Sequence, residues 1–325
     1  MRKCCFIIPY FGRFHNYFPL FLKTCSWNKD FNWLVFTDDN TPYDYPENFK
    51  VVKMSFVELK ELIQSKFDFE IALNSPYKLC DYKPAYGYIF EDYLKDFRFW
   101  GHCDVDTLMG NLSGFITEDL LDGYDKIFCL GHMVLYRNSY ENNRLFMSEF
   151  NGKLLYKKVF TTDKICWFDE EYHDANNINE IFISLNKNVF KTDYSLNLRI
   201  LPTKFVRSRY VGLDVYRDNH GYKVEEYRDA VYTWDRGHLI RYFKLEEGIK
   251  NEEFLYVHFL HRKMVMDKRV LKLDIFKFVP NKFLPLEVSS VTADNFNKIK
   301  KWSLNTHYFN VKIKPRIKKI FQFFH

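Results

Sequence analysis

The sequence predicts an α/β protein built on a largely parallel, doubly wound sheet. Two observations carry that expectation. Strand-like and helix-like runs alternate through the first third of the chain in the order β-α-β-β-α. Carboxylates also stand at the ends of two strand-like runs, Asp38-Asp39 and Asp104-Val105-Asp106, where ligands collect in sheets of this kind.

In order along the chain, residues 4–9 read as a buried strand opening into the loop Tyr10-Phe11-Gly12-Arg13. Residues 18–27 have a helical pattern, residues 33–37 form a second strand ending at Asp38-Asp39, and residues 49–54 form a third. Phe56, Leu59, Ile63 and Phe67 recur at helical spacing. Lys83-Pro84 opens a further helix, with proline at an early position and Tyr86, Ile89, Phe90, Tyr93 and Leu94 on one face. The run 98–103 is a strand that ends at the Asp pair. Residues 125–136 give another strand-like passage, interrupted by Gly131-His132, and residues 255–259 a later one. The boundaries expected are a first domain over 1–265 and an extension over 266–325, helical and ending in a basic amphipathic tail.

Composition limits the function classes. The chain has 325 residues, 47% hydrophobic and 19% aromatic, which suffices for a large core and leaves aromatics for stacking on bases or sugar rings. Only 12 Gly and 10 Pro argue against a fibrous or disordered chain. The formal net charge of +6 suits phosphate-bearing ligands or an anionic membrane surface. Nucleic acid is not expected as a partner, because no zinc-finger spacing, basic heptad region or RNA-binding aromatic signature is present. Seven cysteines without metal-knuckle spacing fit a reducing compartment. No segment has the length and apolarity of a signal peptide core or a membrane span, so the expected location is cytoplasmic. In the tail, Lys312, Lys314, Arg316, Lys318 and Lys319 interleave with Ile313, Ile317, Ile320, Phe321 and Phe324. That pattern fits either docking on the inner face of a membrane or a last helix packed on the domain, and both readings stay open.

The chemistry concentrates at the strand ends. Asp104 and Asp106 project to the same side of a strand, where two converging carboxylates call for a cation between them. A hard divalent ion bridging to a phosphate meets that need. Lys78 and Lys83, just upstream, are within reach of a ribose or phosphate. His258 closes the strand-like run Leu255-Tyr256-Val257-His258, and a neutral imidazole completes a mixed oxygen and nitrogen site for manganese; Lys263 behind it has the reach of a diphosphate oxygen. Asp169 and Glu170 follow an aromatic pair, Trp167-Phe168, and a carboxylate there has the chemistry to deprotonate an acceptor hydroxyl. Gly131-His132 allows a sugar to approach closely, since glycine removes the side-chain barrier. Each has a plainer alternative: a solvated turn, surface lysines, a core histidine, a helix start, a bulge.

Six segments in order carry a resemblance: Cys4-Cys5-Phe6-Ile7-Ile8-Pro9-Tyr10-Phe11-Gly12, Phe36-Thr37-Asp38-Asp39, Asp81-Tyr82-Lys83-Pro84, Phe99-Trp100-Gly101-His102-Cys103-Asp104-Val105-Asp106, Gly131-His132-Met133 and Val257-His258-Phe259. Over roughly residues 1–265 the chain resembles bacterial glycosyltransferase-like proteins of surface (capsular or lipo-) polysaccharide biosynthesis, with a GT-A type, Rossmann-like fold. The resemblance implies a nucleotide-diphosphate-sugar donor, a UDP-sugar first, and a glycan or lipid-linked acceptor. It implies Mn²⁺ or Mg²⁺ held by Asp104 and Asp106 with His258 as a further ligand, and Lys263 on the diphosphate. Tyr10, Asp38 and Asp39 then fall on the donor side, the two aspartates near base or ribose. Whether the anomeric configuration is retained or inverted stays open. Two other readings compete: a catalytically silent carbohydrate-binding protein on a transferase fold, and a haloacid dehalogenase-type phosphatase with Asp104 as nucleophile. Against the second, Leu108 stands where that pattern wants Thr or Val.

Overall fold

The computed structural model describes residues 2–171, 176–300, 308–309 and 313–314. Strand β1 (Arg2–Pro9) leads through helix α1 (Phe18–Ser26) to β2 (Phe31–Thr37). Strand β3 (Phe49–Lys53) leads into helix α2 (Phe56–Gln64), whose start is fixed by a reciprocal cap between Ser55 and Glu58. Then come β4 (Phe97–Cys103), the short β5 (Thr107–Met109), β6 (Lys126–Leu130), β7 (Met133–Arg137) and β8 (Val189–Phe190). Seven of these form one sheet in the order β3-β2-β1-β4-β7-β6-β8. The half from β3 to β4 is parallel, whereas β7 runs antiparallel to both β4 and β6.

Alternation along β1 builds the two layers. Cys5 and Ile7 face a cluster with Leu59, Ile63, Tyr86 and Trp100. Cys4, Phe6 and Ile8 face the opposite cluster with Phe18, Phe21 and Trp33. Each fully buried side chain of this size contributes about 1.5–3 kcal/mol, so a one-residue slip of β1 would expose or crowd both layers at once. The passage expected as a single interrupted strand at 125–136 is a tight β6–β7 hairpin, with Gly131 and His132 at its tip.

The helix expected from Lys83-Pro84 is not regular. A 3₁₀ helix covers Pro76–Ala85, one α turn covers Tyr86–Ile89, and a second 3₁₀ turn covers Glu91–Tyr93. Pro84 has no N–H to donate and disfavours helical geometry at Lys83. Gly87 lies so close to the Trp100 ring that a Cβ would come within 2.2 Å of it. The expected face is buried at Tyr86, Ile89, Phe90 and Leu94; Tyr93 is exposed.

A three-stranded sheet packs beyond β4. Here β9 (Ser195–Asn197) and β15 (Tyr256–His258) join β5 in the order β5-β15-β9. Between them in sequence lie the hairpin β10 (Ser208–Tyr210) with β11 (Tyr222–Val224), and β12 (Ala230–Asp235), β13 (His238–Leu245) and β14 (Gly248–Phe254). The last three continue with β16 (Val265–Met266), β17 (Ile275–Val279) and β18 (Lys282–Pro285) into a sheet ordered β14-β13-β12-β17-β18-β16. The extension expected to be helical therefore contributes strands to this sheet, beside the 3₁₀ turn Lys268–Lys272 and the short helix Phe296–Ile299. Phe276 and Phe278 sit opposite Trp234 and Tyr232 across the β12–β17 ladder, which gives aromatic side chains a partner that a helix would not. Residue 265, the expected boundary, lies inside this sheet. The tail mostly falls outside the described residues, and among those described no helix is long and apolar enough to cross a membrane.

Candidate metal centre and its cleft

Strand β4 delivers Asp104 at its carboxyl end, and the turn into β5 delivers Asp106. The Asp104 N–H donates to the His132 carbonyl at 3.0 Å, and the Thr107 hydroxyl donates to the Asp104 carbonyl at 2.7 Å, so the turn is pinned on both sides. The β5-β15 pairing sets His258 opposite Thr107, and the β15-β9 pairing sets it beside Asn197. The outcome is a cluster of Asp104, Asp106 and His258 whose ligand atoms lie within 4.8 Å of one another.

The cluster is oriented by its neighbours. His258 Nδ1 lies 3.2 Å from Asn197 Oδ1, which fixes the tautomer and turns Nε2 toward Asp106 Oδ1 at 3.5 Å and Asp104 Oδ2 at 3.9 Å. The other oxygen of Asp106 accepts the His261 N–H at 2.5 Å. Leu260 and His261 both adopt left-handed backbone, each with φ of 53°, and this double turn folds the chain after β15 onto Asp106. Burial alone would raise the Asp106 carboxyl, but His258 and His261 outweigh it and hold it well below the usual carboxylate range. Burial likewise works against the His258 cation, while the Asp106 carboxylate raises its pKa. A buried carboxylate, a half-buried one and an oriented imidazole are the donor set of a hard or borderline divalent cation.

Lys83 stands beside this centre. Its Nζ lies 3.0 Å from Asp104 Oδ1 and 3.4 Å from Asp169 Oδ2, and donates to the Gly131 carbonyl at 2.7 Å. Burial opposes its charge, and the two carboxylates raise its pKa well above the ordinary lysine value. Asp169 is buried too, and burial pushes its carboxyl up to about 7. Glu170 is raised for the same reason and accepts the Gly131 N–H at 3.1 Å. The acidic run is thus folded into the cleft, not displayed at a solvated helix start. His132 turns inward: its Nδ1 meets the Tyr256 hydroxyl at 2.5 Å, and its ring centroid lies 4.5 Å from that of His258. These groups, with Tyr10, line an open cleft of about 930 Å³.

Four residues expected at the site do other work. Asp38 accepts the Gly12 N–H at 2.7 Å, on an exposed loop outside the cleft lining. Asp39 accepts the Phe14 N–H at 3.0 Å and the Thr41 N–H at 2.9 Å, so both its oxygens are engaged by the backbone, and it does not line the cleft. Lys78 is buried, paired with Asp81 at 2.7 Å and donating to the Lys164 carbonyl at 2.6 Å, so its charge is consumed inside the fold. Lys263 is exposed and does not line the cleft. Conversely, Asn197, Tyr256, Tyr77 and Arg199 shape or line the site without any sequence signal. Asn197 reaches His258 only through a parallel pairing across 61 residues.

The architecture is mixed α/β with an Asp-Asp-His cluster at a sheet edge. The chain belongs to a family of unknown function (DUF6625), whose signature matches residues 6–287. No curated protein matches it. Among solved structures, one described as an active-site mutant of LgtC is similar at 10% identity and a TM-score of 0.32, over 59% of this chain and 75% of that one.

Proposed function

We propose that the chain is a metal-dependent glycosyltransferase that moves a sugar from a nucleotide-diphosphate-sugar to a hydroxyl of a glycan or lipid-linked acceptor. The observation that carries this reading is the convergence of Asp104, Asp106 and His258 beside the Lys83 ammonium, in a cleft large enough for a nucleotide-sugar. A bound Mn²⁺ or Mg²⁺ would supply positive charge where the diphosphate departs. Asp106 and His258 would hold that ion, and Lys83 would keep Asp104 aimed at it. Transfer breaks the bond between the anomeric carbon and the phosphate oxygen, and the electron pair leaves on the diphosphate. The acceptor oxygen forms the new bond, and Asp169 or Glu170 is the carboxylate set to take its proton. The sequence resemblance to surface-polysaccharide transferases agrees with this reading, and the expected cytoplasmic setting, with the basic tail against an anionic membrane, belongs to the same proposal.

The test is a thermal-shift screen of nucleotide-sugars with and without Mn²⁺, followed by assay of nucleoside diphosphate release. A donor whose stabilisation and turnover both need the metal is the expected result. No metal-dependent response across uridine and guanosine donors would sink the assignment.

A further inference from the structure

One end of the cleft has a composition that a metal centre does not require. Tyr77 and Trp167 line it and are 67% and 37% exposed. Trp167 adopts left-handed backbone with φ of 52°, a strained conformation for a bulky residue. That turn sets the indole at the rim and brings Asp169 and Glu170 in behind it, with the Glu170 N–H donating to the Trp167 carbonyl at 3.4 Å. At Gly131 an added Cβ would come 2.5 Å from Asp169 Oδ2 and 3.2 Å from Glu170 Oε2, so a side chain there would displace the carboxylates from the hairpin tip. Lys83 pairs with both Asp169 and Asp104. The floor of this end is acidic and its rim is aromatic.

That pairing has a chemical complement. A pyranose ring presents a C–H face that packs on an aromatic ring, and a rim of hydroxyls that donate to carboxylates. An acidic group on the sugar would instead meet like charge in a partly dehydrated site. Resting on the transferase reading, we propose that Tyr77, Trp167, Asp169 and Glu170 form the subsite for the transferred sugar ring and select an uncharged sugar over one bearing a carboxylate. The position fits the donor, since Lys83 links this end directly to Asp104 and hence to the diphosphate.

The test is calorimetry on the Mn²⁺-loaded full chain with UDP, UDP-glucose, UDP-N-acetylglucosamine and UDP-glucuronate, and with GDP, GDP-mannose and GDP-mannuronate. In the series whose free diphosphate binds, the neutral sugars are expected to bind at least as tightly as the diphosphate and the uronate about tenfold more weakly. Glu170→Gln should narrow that gap by about threefold. Trp167→Ala should weaken the neutral sugars about tenfold and leave the free diphosphate within about twofold, with melting curves verifying the fold of both variants. Uronates that bind as well as neutral sugars overturn the subsite while leaving the transferase reading intact. So does a Trp167→Ala variant that weakens diphosphate and sugar ester alike. Failure of both free diphosphates and all their esters in the presence of Mn²⁺ overturns the transferase reading itself.

Discussion

Two acidic pairs end the two parallel strands that flank β1, and only one of them opens onto the cleft. Asp38-Asp39 follows β2 and Asp104-Val105-Asp106 follows β4. The Asp39 carboxylate is taken up by the Phe14 and Thr41 N–H groups and the Thr41 hydroxyl, which lash the loop after β1 to the end of β2. Asp104 and Asp106 keep an oxygen each directed at His258. The strand-end rule puts carboxylates in the right neighbourhood; the backbone donors nearby decide whether they remain available to a ligand.

The comparison can be broken most sharply at Asp106. Asp106→Ala should lower Mn²⁺ affinity by at least about a hundredfold, the effect of removing a direct ligand, measured by titration calorimetry. An affinity within a few-fold of wild type would mean that the pair at β4 is as inward-looking as the pair at β2. Asp39→Ala tests the other half. It should cost about 3 kcal/mol of stability in urea unfolding, because two backbone donors lose a charged acceptor, and leave Mn²⁺ affinity within about twofold. Metal binding that falls with Asp39 would place that residue in the site after all.

The parallel half of the large sheet was legible in the sequence because its strands are continuous apolar runs separated by helical spacing. The Asp pair was legible because it ends one of them. What escaped notice depends on pairings distant in sequence. The expected helical character of 266–325 rests on the amphipathic pattern near its end, whereas β17 and β18 are set by pairing, with Trp234 opposite Phe276 across the β12–β17 ladder. Lys78 and Lys83 look equivalent in sequence, five residues apart on one 3₁₀ segment. Asp81 claims the first within a single turn, while the second finds its partners on β4 and beyond β6. Trp167 carries no signal of its own, since the strain that places it at the cleft is a property of the folded backbone.

Asp169 lies between the two cases, buried like Asp39 yet facing the cleft like Asp104, and its titration distinguishes them. For Asp39, burial works against ionisation, but its hydrogen bonds with Thr41 and Phe14 overcome that and lower its pKa. Its contribution to stability is therefore present above about pH 4 and lost as pH falls below it. For Asp169 the sign is reversed. Burial raises the folded carboxyl to about 7, so ionising it costs more in the fold than in the unfolded chain. That cost is absent below about pH 4 and grows until pH passes about 7, so the metal-free protein should lose stability across that window. That raised carboxyl already includes the opposing pull of Lys83, and the loss is expected to be on the order of 5 °C in melting temperature between pH 4.5 and 7.5. Asp169→Asn should flatten the slope in that window and leave the acid limb below pH 4 in place. If the slope survives the substitution, the loss belongs to another group and Asp169 does not distinguish the two cases.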